Sequence, residues 1–221
     1  RRQRQMCIRD RLTRAETAVI LINAVDSVNP SANQGGMQPP SSNMPGGFGG
    51  SDTVTQGTSA TTITEGGTYS STSYSSTGDD ENALRIDGAT VTLDSVTVDK
   101  SAGSSSNTED GDFYGQNVAL LATNGANVTI KNATVNSSAQ NGNGIFSYGT
   151  GTTVNVSDST ITTTADNSGG IQTTGGGTTN AANLTVNTSG NSAAAIRSDR
   201  GGGTVVVDKG TYTSNLSLIH I

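Results

Sequence analysis

Short runs of alternating apolar and polar residues recur along the chain from about residue 61. Five segments can be set beneath one another: Ala83-Leu84-Arg85-Ile86-Asp87-Gly88, Ala119-Leu120-Leu121-Ala122-Thr123-Asn124, Gly144-Ile145-Phe146-Ser147-Tyr148-Gly149, Gly170-Ile171-Gln172-Thr173-Thr174-Gly175 and Ala195-Ile196-Arg197-Ser198-Asp199-Arg200. Leu120, Ile145, Ile171 and Ile196 are spaced 25, 26 and 25 residues apart. A Gly- or Asn-containing turn follows each segment, then a period-2 stretch such as Val91-Thr92-Leu93, Val128-Thr129-Ile130, Val154-Asn155-Val156 or Val205-Val206-Val207. A third short stretch comes next, as in Val96-Thr97-Val98, Thr134-Val135, Thr160-Ile161, Leu184-Thr185-Val186 and Thr211-Tyr212.

Period 2 is the mark of a strand with one buried face. Three short strands in each repeat of about 25 residues predict the rungs of a right-handed parallel β-helix, an all-β solenoid over 61-215. One rung leaves its edges unpaired and its inward side chains uncovered, and stacking at about 4.8 Å per rung satisfies both needs. The segment 62–71 (TITEGGTYSS) echoes 204–214 (TVVVDKGTYTS), which predicts a further rung before the first clear one. The interval from Val91 to Val128 widens to 37, so residues 101–115 are expected to form a loop projecting from one corner. The edge after residue 215 has no rung to pair with and is an expected aggregation site.

Alternation also predicts a surface. If Leu84, Leu120, Ile145, Ile171 and Ile196 point inward, their neighbours Arg85, Leu121, Phe146, Gln172 and Arg197 form an outward column. Two residues on lies the column Asp87, Thr123, Tyr148, Thr174 and Asp199. Aromatic faces flanked by Arg and Asp on a long strip suit a glycan, which makes Arg85, Leu121, Phe146, Tyr148, Gln172, Arg197 and Asp199 the candidate ligand-binding residues. The alternative is that the corner loop, through Phe113 and Tyr114, packs over this strip as a satellite core.

Composition narrows the chemistry. Thr (34), Gly (29), Ser (27) and Asn (20) make up half of the 221 residues, and only 31% of the chain is hydrophobic, too little for an ordinary two-layer α/β core. A thin solenoid needs only a few apolar residues per rung, Thr suits exposed strand faces, and Gly and Asn suit corners. The net charge is -6, and phosphate neutralisation needs clustered Lys and Arg, so a nucleic-acid partner is not expected. No apolar run reaches the roughly 18 residues of a membrane span. The acids Asp94, Asp99, Asp158 and Asp208 are dispersed near corners, and no basic partner or His accompanies the many Ser, so no catalytic residue is assigned. Two acidic clusters stand out, Asp79-Asp80-Glu81 and the set Glu109, Asp110 and Asp112. Either could bind Ca²⁺ through oxygen ligands, with Glu109, Asp110 and Asp112 as the candidate metal ligands, but neither has a full loop signature, and no other cofactor is expected. Six Asn-x-Ser/Thr sequons lie wholly between residues 12 and 215 (Asn127, Asn132, Asn136, Asn155, Asn183 and Asn187) and follow from composition alone.

The two ends read differently from the rest. Residues 1-11 begin RRQRQMCIRD and residues 216-221 read LSLIHI; both resemble in-frame translations of a transposase-type sequencing adapter, on opposite strands. Cys7 and His220, the only residues of their kinds, then leave the chemical argument. Five Arg and Asp10 go with them, and the formal charge shifts from -6 to -10 (7 basic against 17 acidic). Residues 27-60 carry all four prolines among Gly, Ser, Asn and Gln, the composition of a flexible spacer. Before them, Thr13 and Glu16 form a capping box ahead of the apolar run Ala18 to Val25, which suits a buried helix or a short strand.

Residues 12-26 resemble the end of an S-layer homology repeat through Leu12-Thr13-Arg14-Ala15-Glu16. The resemblance implies attachment to cell-wall polysaccharide, with Arg14 contacting the polymer. An ordinary capped helix and the remnant of a signal peptide are the alternatives. The repeat region resembles the adhesin-like β-helix proteins of gut bacteria, within the pectin-lyase-like β-helix superfamily. Together these resemblances imply an extracellular, cell-wall-attached protein that binds a glycan or a host or neighbouring cell surface, without catalysis in this stretch. Two alternatives stay open: part of a β-helix polysaccharide lyase or glycoside hydrolase, and a passive stalk.

Overall fold

Every predicted period-2 stretch becomes a strand because its inward residues find equivalent residues one repeat away. The computed structural model describes residues 18–20 and 53–215. The adapter-like termini, Arg14 with its capping box, and most of the spacer lie outside the described residues. Within the apolar run that follows the capping box, Ala18–Ile20 forms a strand, β1.

Six rungs follow in chain order. The first contains β2 (Thr58–Ile63), β3 (Gly67–Ser70) and β4 (Ser73–Ser76), and the second β5 (Glu81–Asp87), β6 (Thr90–Asp94) and β7 (Thr97–Lys100). A short helix, α1 (Thr108–Tyr114), sits in the connection to the third rung, β8 (Leu120–Thr123), β9 (Asn127–Lys131) and β10 (Thr134–Ser137). The fourth is β11 (Ile145–Tyr148), β12 (Thr153–Ser157) and β13 (Thr160–Thr163). In the fifth and sixth, the second and third strands merge: β14 (Ile171–Thr174) with β15 (Gly177–Thr188), and β16 (Ile196–Ser198) with β17 (Gly203–Ser214). The rung anticipated from the echo of 204–214 is the first one, and its opening strand starts at Thr58, slightly before residue 61.

The first strands of all rungs pair in parallel as one sheet, in the order β16-β14-β11-β8-β5-β2. The second and third strands form the other sheet, also parallel from rung to rung. Register carries the apolar pattern through the stack. Leu84, Leu120, Ile145, Ile171 and Ile196 lie in one column. Tyr69, Leu93, Ile130, Val156, Ala181 and Val207 make a second. Tyr74, Val98, Val135, Ile161, Val186 and Tyr212 make a third. A one-residue slip would turn every column to solvent, so the pattern fixes the register. At the last described rung the Tyr212 phenol, half-buried against the core and close to Asp208, is pushed up to about 12.

The bend between the second and third strands is built the same way in every rung. One non-glycine residue adopts the left-handed conformation at each: Ser71, Ser95, Asn132, Asp158, Asn183 and Lys209, with φ between 50° and 59°. Short polar side chains tolerate that region, and here they also bond across rungs. Asn132 Nδ2 donates to Asp94 Oδ1 (2.9 Å) and Asn183 Nδ2 to Asp158 Oδ1 (2.7 Å). Asn132 and Ser95 hold the Asp94 carboxyl below its ordinary value.

The last rung is not wholly open. β1 pairs antiparallel with it, Ala18 opposite Val207 and Ile20 opposite Val205. The expectation of an uncovered final edge is corrected for that stretch, because a strand from the N-terminal side takes up its main-chain groups.

The left-handed bend generates a test. Asn183→Val places a β-branched residue at a left-handed position, which costs about 1–2 kcal/mol, or a fall in Tm of about 2–8 °C for a domain of this size. Asn183→Gly, free of that penalty, is expected to lose less than half as much. Thermal denaturation of the two variants measures the difference.

Candidate functional site at the α1 corner

The connection 101–119 does not project from its corner; it folds back over the first-strand sheet. Its root is a buried lysine. Alternation along β7 turns Val98 and Lys100 inward, and Lys100 is fully buried. Its Nζ donates to Ser76 Oγ (3.2 Å) and to the Gly78 carbonyl. Burial pushes the Lys100 ammonium down, and Glu81, Asp79 and Asp80 pull it back up. The same acids tie the loop. Asp79 Oδ1 accepts from the Ser104 amide (2.8 Å), and Asp80 Oδ1 accepts from the Ser106 amide (2.7 Å). The 79–81 cluster is therefore a clasp for the loop.

α1 starts at Asn107, whose side chain accepts from the Glu109 amide (3.0 Å), and ends at Gly115 in the left-handed conformation (φ 81°). Gly115 is needed twice over. A Cβ there would also lie 2.9 Å from Leu121 Cδ1 and 3.1 Å from the Phe146 ring.

The predicted outward column exists in register: Arg85, Leu121, Phe146, Gln172, Arg197. It is not an open strip. Leu121, Phe146 and Gln172 are each 0% exposed, and Leu121 and Phe146 join Val118 in a second apolar cluster, with Tyr148 packed against it. The loop covers them because a sheet face carrying Leu and Phe gains by leaving water. This corrects the exposed-strip reading in favour of the satellite core.

Polar contacts then strap α1 to the distal rungs. Gln172 Nε2 donates to the Asp112 carbonyl, and Thr174 Oγ1 to the Phe113 carbonyl (2.7 Å). Arg197 pairs with Asp112 (3.3 Å) and Asp199 (2.8 Å). Burial alone would lower the Arg197 guanidinium, but the two carboxylates outweigh it and hold the group above its ordinary value. Arg200 stacks on the Phe113 ring, 4.2 Å from its centre, and reaches Glu109 at 3.9 Å. Tyr114 meets Tyr148 edge to face at 5.7 Å.

The other predicted residues are placed as follows. Arg85 donates to the carbonyls of Gln56 (2.7 Å), Gly57 (2.8 Å) and Thr58 (3.1 Å), so it ties down the first rung and is separated from Arg197 by four rung intervals, about 19 Å. Burial pushes its guanidinium down, with Asp87 opposing. Asp87 accepts from Asn124 (2.7 Å), and Thr123 is buried. Of the seven ligand candidates only Arg85 lies away from the corner; Leu121, Phe146 and Gln172 are buried beneath it, and Tyr148, Arg197 and Asp199 keep partial exposure there. The acidic trio does not assemble: Asp112 is held by Arg197 and Asn141, Glu109 faces Arg200, and burial pushes the Asp110 carboxyl up. Among the described residues no three His, Cys, Asp or Glu side chains come together as metal ligands.

Sequence reasoning missed Lys100, Arg200 and the pairing of Asp112, singled out only as a Ca²⁺ candidate, with Arg197. For Lys100 a signal was present, since period 2 along Thr97-Val98-Asp99-Lys100 already turns the lysine inward. For the other two it was not, because their partners are 85 and 91 residues away. No protein-family model, curated protein or solved structure matches the chain.

The loop root generates a test. Lys100→Met keeps the volume of the side chain and removes its charge and donors, so amides of 101–106 are expected to exchange faster while those of 127–137 are unchanged. Hydrogen–deuterium exchange with mass spectrometry reads both regions at once.

Proposed function

We propose that the chain is the displayed β-helix of an extracellular, cell-surface-attached, adhesin-like protein, which binds a glycan at the α1 corner and performs no catalysis there. One observation carries the reading. Four of the eight aromatic residues, Phe113, Tyr114, Phe146 and Tyr148, gather at this corner. Phe146 is the buried footing; Phe113, Tyr114 and Tyr148 are only half-buried, and Arg200 beside them is exposed.

Such a rim suits a sugar. The apolar face of a pyranose packs on an aromatic ring, while Arg200 and the tyrosine hydroxyls bond to its oxygens. The binding groups are pre-organised by the strap beneath them, which lowers the ordering cost of association. The capping-box motif with Arg14 and the Pro/Gly spacer support attachment to a cell wall, with the solenoid held outward. No helix among the described residues is long and apolar enough to cross a membrane.

A glycan array probed with the full chain tests this reading. Wild type is expected to bind a defined subset of glycans, with Phe113→Ala and Tyr114→Ala each weakening that signal at least tenfold. Equal binding by the variants, or no binding by wild type, contradicts it.

A further inference from the structure

A second surface lies on the other sheet. A shallow groove of about 300 Å³ runs along the solenoid axis across β9, β12, β15 and β17. One wall is the register row Thr129, Asn155, Asn180 and Val206. The other row runs Lys131, Ser157, Ala182 and Asp208, and it shrinks to Ser157 and Ala182 at the two middle rungs. The dip between those rows makes the groove, with Lys131 and Asp208 at its two ends. Its floor is the main chain at Val156 and Ala181, whose side chains are buried.

The chemistry of the walls selects the occupant. Asn180 Nδ2 donates to Asn155 Oδ1 at 2.8 Å, which fixes both amides. Asn155 Nδ2 and Asn180 Oδ1 have no partner among the described residues, so the pair offers one donor and one acceptor in fixed positions. The strands beneath are already paired on both sides, so a peptide cannot add to them by strand pairing. Lys131 is the one cation in the groove lining, too little for a phosphate backbone. A row without large apolar side chains does not suit a helix or a lipid. What remains is an uncharged chain, rich in hydroxyls, with a repeat close to the rung spacing. From Lys131 to Asp208 the groove spans three rung intervals, about 14 Å, which is the reach of roughly three sugar units.

We propose that this groove binds a single extended strand of neutral, β-linked polysaccharide lying along the solenoid axis. The site is separate from the α1 corner and does not rest on it. Titration calorimetry of the full chain with cello- and chito-oligosaccharides of two to six units tests it. Affinity is expected to rise up to three or four units in at least one series and then level off. Ala182→Phe fills the dip on the solvent face, and the double variant Asn155→Ala, Asn180→Ala keeps the dip but removes the amides. Each is expected to weaken binding at least tenfold, while circular dichroism reports an intact solenoid. Absence of binding by wild type or undiminished binding by either groove variant overturns the proposal.

Discussion

Everything in this molecule depends on the stacking of one rung on the next. A rung of about 25 residues cannot bury its own side chains or pair its own edges, and the next rung does both at once. That constraint sets the composition, because inward columns need only a few Val, Ile and Leu per repeat. It also sets the bends, where a column of Ser, Asn, Asp and, in the last rung, Lys209 adopts the left-handed conformation at nearly the same φ. The surface inherits the same periodicity, so any residue repeated at one rung position becomes a row along the axis.

Departures from that periodicity are where the molecule acquires features. The insertion between the second and third rungs supplies α1, and α1 converts an apolar outer strip into a second small core. The strip chosen for covering is the one carrying Leu121 and Phe146. A fully exposed pair of that kind would be a liability on a long flat sheet. Lys100 shows the same logic at the loop root: a charge enters the interior only where a carbonyl, a hydroxyl and three nearby carboxylates await it. The strap across the distal rungs is built instead from Arg197, Asp112, Gln172 and Thr174, and ties the helix to rungs distant in sequence.

Much of the fold was legible in the sequence because its decisive contacts repeat at a constant offset. Leu120, Ile145, Ile171 and Ile196 announce their own register, and the rung containing Tyr69 and Tyr74 was visible through its echo of the last one. The outward column of Arg85, Leu121, Phe146, Gln172 and Arg197 was legible for the same reason. Its burial was not, since a period-2 pattern says which face a residue takes and nothing about what a distant loop lays upon it. Contacts such as Arg197 with Asp112 and Arg200 with Phe113 break the repeat and leave no trace in it. The groove at Ala182 is subtler, because only the register of four strands shows that two short side chains stand next to each other in one row.

The claim on which the rest turns is that α1 seals the strip and leaves its own aromatic residues at the rim. Hydroxyl-radical footprinting of the unmodified protein, read residue by residue by mass spectrometry, measures this directly. Phe146 is expected to be protected, while Phe113 and Tyr114 are oxidised at the rate of partly exposed rings. Oxidation of Phe146 as fast as that of Phe113 would show an open strip and contradict the account.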